Sequence, residues 1–584
     1  MSNNRFQFNL APAHQLLPHL TQLINDPTLI AAVSNTISSP LPCTRQNLTQ
    51  TVQDLAWHLC WLNNDKHPVI GLLPKVAWTV YPPADLASLE VKIVKSQRLD
   101  NLQGQDTRHA LHNQSEPNQS EQILSNKSQP ISTQQTPEQL SYQDWIDELI
   151  HYSEQHQHSP QHNAETCSQA QHTAYQHGLM GFIGYDIGAK ALSRDSKVML
   201  ADQPCAFIGH YDIYLTPCSD DYWQLHTQPS TSQAAIDMAV CILKLLEHYL
   251  QQQTVKVLPT PSLPLNPRWT QQDYQSAFAQ TQQYLYQGDS YQINLTQQWL
   301  GQLPVSETSD KSYPASTDPT LTESDTTELH TVHQNRLNLV NYLPQLHQQT
   351  QAPFAGYLAI SSDKPSANKT SEFELLSCSP ELFVMFDKNA DNEQRILTKP
   401  IKGTLPRGQT PQQDEQLKQQ LADSEKDRAE NVMIVDLLRN DLGKYAKTGS
   451  VQVPKLFAIE SFSNVHHMVS SIVATIKPEC HPLTVLFDSL PAGSITGTPK
   501  KRAVELISEL EAEPRGAYCG TLGYLNFDGS GQWNVLIRSL QANAKKEVAL
   551  WAGGGITVAS QCDLEYQECL DKVGNLLAIL APQS

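Results

Sequence analysis

Apolar and polar positions fall in blocks along this chain, and the period changes from block to block. Residues 1–100 alternate short apolar runs with turn signals such as YPPAD. LMGFIGYDIG (179–188) and CAFIGHYDIYLTP (205–217) read as strands, the first punctuated by glycine. AAIDMAVCILKLLEHYLQQ (234–252) has the spacing of an amphipathic helix, and the Pro-rich PTPSLPLNP (259–267) follows it as a connection. From 268 onward the signals sharpen. Residues 268–287 have helical period, GDSYQINLTQQW turns into a strand, and FELLSCSPELFVMF (373–386) is strand-like. Ser424 opens an S-x-x-D capping box with Asp427 before a helix through Leu442. Thr498-Pro499 opens another helix with proline at its first position, and Asp563 opens the last one. Strands and helices mix without a βαβ repeat, which predicts an α+β architecture rather than a doubly wound sheet.

Three polar stretches interrupt this pattern. Residues 101–175, with runs such as HNQSEPNQSEQ and HYSEQHQHSPQHNAETC, hold few large apolar side chains to offset ordering entropy, so the stretch is predicted to be disordered. YQDWIDELIHY (142–152) inside it has the pattern of a turn or two of helix. Residues 303–330 and 361–374 are expected to be exposed loops without a catalytic role. The histidines at 151, 156, 158, 162 and 172 lack ligand spacing and supporting Cys or carboxylate residues, so a solvated linker is the better reading.

Composition narrows the classes. The chain has 40 basic and 59 acidic residues, a net charge of −19, which gives no broad attraction for nucleic acid or anionic lipid. Eleven cysteines without a C-x-x-C pair argue against a disulfide scaffold or zinc module. There is no basic leader with a long apolar run, and no apolar stretch of roughly 18 residues, so a cytoplasmic location is expected.

Four constellations carry candidate chemistry. Asp427 and Glu430 are i,i+3 neighbours on one helix, as are Glu565 and Glu568 on another, so each pair projects from one side near a helix N-terminus. Such acids either complement the macrodipole on a solvated face or meet around a hard cation such as Mg²⁺. TKPIKGTLPRG (398–408) offers two lysines, Lys399 and Lys402. A lysine becomes a nucleophile only where burial or a cationic neighbour lowers its pKa. WAGGGITVAS (551–560) suits either a backbone nest for an anion or a bulge or tight turn. LPAGSITGTPKKRAVELI (490–507) runs a Gly/Ser/Thr loop into a helix N-terminus, an anion site that does not match a Walker loop.

Taken in order, GDSYQINLTQ, SPELF, PIKGTLPRG, DRAENVMIVDLLRNDLG, SNVHHMVS, PAGSITGTPK, GAYCGTLGY, VLIRSL, WAGGGI and YQECLDK closely resemble the chorismate-utilising enzymes. That family includes anthranilate synthase component I, isochorismate and salicylate synthases, and the aminodeoxychorismate-forming synthases. The resemblance covers 268–580 and extends more weakly to GFIGYD (181–186). It implies an α+β fold of two large antiparallel sheets packed as a sandwich with flanking helices. An N-terminal region (1–100 and 176–258) like that of anthranilate synthase component I would precede a chorismate-binding catalytic region (268–580).

Lys402 distinguishes the branches. Members that install the amine para to the carboxylate-bearing carbon carry PIKGT, as here, whereas anthranilate synthases resemble PIAGT. Isochorismate synthases place their water-activating lysine in a different motif. The chain is therefore similar to the aminodeoxychorismate-forming branch, which serves 4-aminobenzoate and folate synthesis. By that resemblance, Mg²⁺ held by Glu430 and Glu568, with Asp427 and Glu565 in support, grips the ring carboxylate of chorismate. Lys402 attacks ring carbon 2, Glu381 protonates the hydroxyl leaving carbon 4, and ammonia then attacks carbon 4 and expels the lysine. His467 matches a histidine near the ring, while His466 reads as structural. Gly403, Thr404, Thr498, Tyr518, Arg538 and the backbone of Gly553, Gly554 and Gly555 match chorismate-contacting positions.

Some relatives hold a tryptophan in the N-terminal sheet, and Pro353, Phe354 and Ala355 sit where that site's central segment lies. Bacterial members receive ammonia from a separate glutamine amidotransferase subunit. Nothing here resembles its cysteine elbow, and the chain stops after the final helix without a lyase domain, so both activities are expected from separate proteins. Two rival readings are anthranilate synthase component I, which Lys402 opposes, and a non-catalytic binding subunit, which the retained acids, Glu381 and Lys402 oppose.

Overall fold

Strand periodicity in this chain comes from sheets that each bury one face against the other and the opposite face under helices. The computed structural model describes residues 6–43, 45–83, 90–99, 131–157, 174–194, 196–219, 222–252, 260–304, 337–361, 371–462 and 465–582. Among them are two antiparallel sheets of 12 strands each. In the first, strand Phe354–Ser361 lies beside Ser371–Ser379, followed by Ser539–Ala542, Glu547–Ile556 and Gln292–Gln302. In the second, Ile401–Pro406 pairs with Val465–Thr475, followed by Gln394–Thr398, Leu382–Lys388, Gly531–Asn534 and Thr521–Asn526.

The facing surfaces make the sandwich. Leu358, Ile360, Phe373 and Leu375 of the first sheet share one buried cluster with Met180, Phe182, Phe207 and Leu522 of the second. The Phe182 and Phe373 rings stack at 5.2 Å across it. Helices Ala13–Asn25, Gln233–Gln252 and Cys562–Leu580 pack on the outer face of the first sheet. Helices Tyr142–His156, Glu425–Gly443 and Pro482–Ser489 pack on that of the second. Among the described residues no helix is long and apolar enough to cross a membrane.

Two apolar runs that read as single strands are each divided between the sheets. In 205–217, Ala206–His210 joins the second sheet and Ile213–Pro217 the first. Asp212 at the corner is fully buried and pairs with Arg98 at 2.8 Å. In 373–386, the ladder breaks at Pro380, which has no N–H to donate, and Leu382–Lys388 continues in the other sheet. The run 179–188 is strand only to Ile183. Helix Tyr185–Leu192 follows, its Asp186 accepting hydrogen bonds from the Arg515 and Gly516 amides (2.9 and 2.8 Å).

Part of the predicted disorder is ordered. Strand Ser132–Ser141 pairs along its length with Glu90–Leu99, so its ladder satisfies the backbone although its side chains are polar. Helix Tyr142–His156 is longer than expected. Ser141 caps it, and Trp145, Ile146 and Leu149 anchor it in the core. The rest of that stretch (100–130 and 158–173) lies outside the described residues, as do 305–336 and 362–370 of the expected polar loops. Pro499 sits at the cap of helix Lys500–Glu511 rather than at its first position.

Candidate active site

The two acidic helix starts come together: the Lys426 ammonium lies within 4 Å of Glu430 on one and of Glu565 on the other. Ser424 caps helix Glu425–Gly443 by accepting the Asp427 amide hydrogen bond, which fixes Asp427 and Glu430 in the first turns. Glu565 and Glu568 lie in the first turns of Cys562–Leu580. The glycines 553–555 form neither a turn nor a nest. They lie within strand Glu547–Ile556, paired with Gln292–Gln302. A methyl group on Gly554 would stand 3.1 Å from Glu565 Oε2 and 3.5 Å from Glu568 Oε1, so both carboxylates close on the space that this glycine leaves open. One on Gly403 would stand 2.8 Å from the Asp427 carboxyl carbon.

Lys402 reaches the same cluster from the other sheet. Its strand bulges against Val465–Thr475 between Lys402 and Thr404, where Gly403 takes a φ of +75° that favours glycine. The Lys402 ammonium lies 4.0 Å from Glu430 Oε2, with the two side chains 14% and 15% exposed. Lys399, the competing lysine, pairs instead with Glu460 at 3.3 Å and is more exposed.

Glu381 follows the Pro380 break and is buried. The Ser494 hydroxyl donates to its Oε1 at 3.2 Å. Burial pushes its pKa up to about 7, although the charges of Lys402 and Lys572 and the Ser494 hydrogen bond favour the ionised form. His467, opposite Thr404 in the ladder, shares a 2.8 Å hydrogen bond between its Nδ1 and the Thr404 hydroxyl. Burial, assisted by the Arg538 charge, pushes its pKa down to about 4, so the ring is neutral at neutral pH. His466 is fully buried, bonded to Ser461 (2.8 Å) and Asp414 (3.0 Å), as a structural histidine would be.

Arg538 precedes strand Ser539–Ala542 with a φ of +51°. Among the described residues its guanidinium makes no hydrogen bond or ion pair, and burial pushes its pKa down. A desolvated, unpartnered guanidinium is suited to a carboxylate brought by a ligand. The buried Tyr518 ring stacks on Trp551 of the glycine strand (5.8 Å between centroids, 9° between planes). Among the described residues the buried Thr498 hydroxyl has no hydrogen-bond partner, while its carbonyl accepts from the Tyr291 amide. Pro353, Phe354 and Ala355 lie elsewhere. Ser371–Ser379 and Ser539–Ala542 separate their strand from the glycine strand, and the Pro353 and Ala355 carbonyls accept from the amides of Asp65 and Asn63.

Three participants were missed in the sequence. Lys572 bonds Glu568 at 2.6 Å and the Gly553 carbonyl at 2.8 Å, and its i,i+4 spacing from Glu568 was a usable signal. Lys426 lies 3.4 Å from Glu565 and 3.9 Å from Glu430, the latter also an i,i+4 pair. Ser494 lies in the Gly/Ser/Thr loop read as an anion site, but its role toward Glu381 had no local signal.

A hard cation fits this donor set in chemistry: Glu565 and Glu568 present oxygens beside a glycine that leaves room, and Glu430 lies near them through the Lys426 ammonium that it shares with Glu565. Burial raises the pKa of Glu430, a penalty that a cation would relieve. Among the described residues no three His, Cys, Asp or Glu side chains already close on one point, and lysines neutralise the acids instead.

A family model described as chorismate binding enzyme matches residues 102–313 and 325–578. The chain belongs to this family. Among its members, aminodeoxychorismate synthase component 1 of Escherichia coli (strain K12) is 36% identical over 411 residues, 69% of this chain and 77% of that protein. The crystal structure of anthranilate synthase component I from Streptococcus pneumoniae TIGR4 matches with a TM-score of 0.56 and 22% identity, over 76% of this chain and 88% of that one. The menaquinone-specific isochorismate synthase of Escherichia coli matches with a TM-score of 0.53 and 14% identity, over 96% and 100%. These two likenesses establish the shared sandwich fold. Within this family fold, the charges of both Lys402 and Arg538 bear on the buried Glu381 carboxyl.

Proposed function

We propose that this chain is the chorismate-aminating subunit of an aminodeoxychorismate synthase. It would convert chorismate and ammonia to 4-amino-4-deoxychorismate in 4-aminobenzoate and folate synthesis. The observation that carries this reading is the grouping of Lys402, Glu381 and the acidic cluster. The lysine neighbours Glu430, and its charge bears on a buried carboxyl whose pKa is about 7. The same-named relatives support the choice of branch.

Arg538 and the Thr498 hydroxyl would orient the carboxylates of chorismate, with Tyr518 and the glycine strand shaping the space. Mg²⁺, held by Glu430 and Glu568 with Asp427 and Glu565 in support, would draw charge from the conjugated ring through its carboxylate. The Lys402 amine would form a bond to ring carbon 2 and release a proton as both conjugated ring double bonds shift and the carbon 4 to oxygen bond breaks. Glu381 would give its proton to the departing hydroxyl, a poor leaving group without one. Ammonia would then bond to carbon 4 while the carbon 2 to lysine bond breaks, which directs nitrogen to carbon 4. A separate glutamine amidotransferase would supply the ammonia in the cytoplasm, and a separate lyase would act on the product.

The test is capture of the covalent species. Incubation with chorismate and Mg²⁺, without any ammonia source, should leave a peptide containing Lys402 heavier by one chorismate less one water. A fully consumed substrate with no adduct at Lys402 would contradict the covalent route.

A further inference from the structure

The acidic cluster already contains a cation of the chain's own. The Lys426 ammonium sits between the two facing helices, 3.4 Å from Glu565 Oε1 and 3.9 Å from Glu430 Oε1. Lys402 and Lys572 also neutralise the cluster, but each has another commitment. Lys402 is largely buried on its strand, and Lys572 is bonded to both Glu568 and the Gly553 carbonyl. Lys426 is 56% exposed, and its only two ion pairs among the described residues are to these carboxylates. Its side chain is more than half exposed, and its ammonium lies near both carboxylates. Glu565 is only 3% exposed and Glu430 15%, so an ammonium departing from them leaves two poorly hydrated acids in apposition.

We propose that Lys426 is a tethered placeholder. Its ammonium occupies the carboxylates that a divalent cation uses, holds the two helix starts together before that cation arrives, and swings into solvent when it binds. The inference rests on the cation role given to these acids under the proposed function. Its physical content is competition: a divalent cation brought to these carboxylates repels the ammonium already beside them, so part of the metal's binding energy is spent displacing a charge that the chain carries. Cation affinity in the absence of chorismate is thereby lowered. Chorismate, which brings a further carboxylate, would then raise it through the added ligand oxygen.

The test reads cation binding rather than turnover. Mn²⁺, as a probe, and Mg²⁺ are titrated calorimetrically into wild type and into Lys426→Met without chorismate, with Lys426→Arg as the charge-keeping control. The placeholder predicts about five- to tenfold tighter binding by Lys426→Met and near wild-type binding by Lys426→Arg. Lysine acetylation read by mass spectrometry is the second measurement and needs no variant. Added Mg²⁺ should increase labelling of Lys426 relative to Lys418, which among the described residues pairs only with its neighbour Glu415. Equal or weaker binding by Lys426→Met, or labelling of Lys426 that stays constant or falls, would overturn the proposal. If neither wild type nor variant binds a divalent cation with or without chorismate, the placeholder has nothing to yield to and is likewise overturned. Product formation would then judge the aminating reaction on its own.

Discussion

The Ser494 hydroxyl donates a 3.2 Å hydrogen bond to Glu381, the one buried carboxyl in the site whose pKa is raised to about 7. The contact stabilises the ionised form, so it acts against the proton that the proposed acid must carry. Ser494→Ala should raise the Glu381 pKa further. In wild type, kcat/KM should fall as pH rises through about 7, because the acid is then deprotonated. In Ser494→Ala that falling limb should move to higher pH, and a limb that stays or moves down would contradict the assignment.

Glu381 also sets a stability prediction with a definite sign. Its folded pKa lies above its ordinary value of 4.5, so its cost is absent below pH 4.5, grows as pH rises from there to about 7 and levels off above that. Glu381→Gln removes that cost. Denaturant titration at pH 8 should find the variant more stable than wild type by up to ~3 kcal/mol, with little difference at pH 4.5. Turnover should fall by about 10²- to 10⁴-fold.

Arg538 should behave as a binding residue held at a stability cost. Arg538→Met removes a desolvated, unpartnered charge, so its melting temperature should match or exceed that of wild type. The KM for chorismate should rise by about 100-fold or more, and Arg538→Lys should not restore it, since lysine lacks the bidentate fork. A destabilised Arg538→Met with unchanged KM would assign the arginine to the fold instead.

Neighbouring glycines should separate site from scaffold. A methyl at Gly553 would stand 2.0 Å from the Leu295 carbonyl of the paired strand, so Gly553→Ala should cost about 3 kcal/mol or more and shift the midpoint of unfolding. At Gly554 the methyl meets only the ends of Glu565 and Glu568. Gly554→Ala should unfold within about 1 kcal/mol of wild type yet require much more Mg²⁺ for half-maximal rate. Equal Mg²⁺ requirements would remove Gly554 from the cation site.

The sequence was most legible where spacing and chemistry coincided. The i,i+3 spacing and the Ser424 cap placed each acidic pair on one side of its helix because helix geometry is local, but that the two pairs meet left no trace in either segment. The sandwich and the pairing of its strands could come only from the family resemblance, since long-range register leaves no local trace. The splits at Asp212 and Pro380 show why: a continuous apolar run looks the same whether its two halves stay in one sheet or cross to another. Strand Ser132–Ser141 misled in the opposite sense, because a backbone ladder can order a polar segment. The contacts of Ser494 with Glu381 and of Lys426 with Glu565 were invisible, since they follow from what stands opposite these residues in space.

The most direct measurement is the product formed from chorismate, Mg²⁺ and ammonium salt by wild type and by Lys402→Ala. The account predicts 4-amino-4-deoxychorismate from wild type, identified by its conversion to 4-aminobenzoate with added lyase, and a rate lower by about three orders of magnitude or more in the variant. Fluorescent anthranilate from wild type, or an undiminished rate in Lys402→Ala, would contradict it.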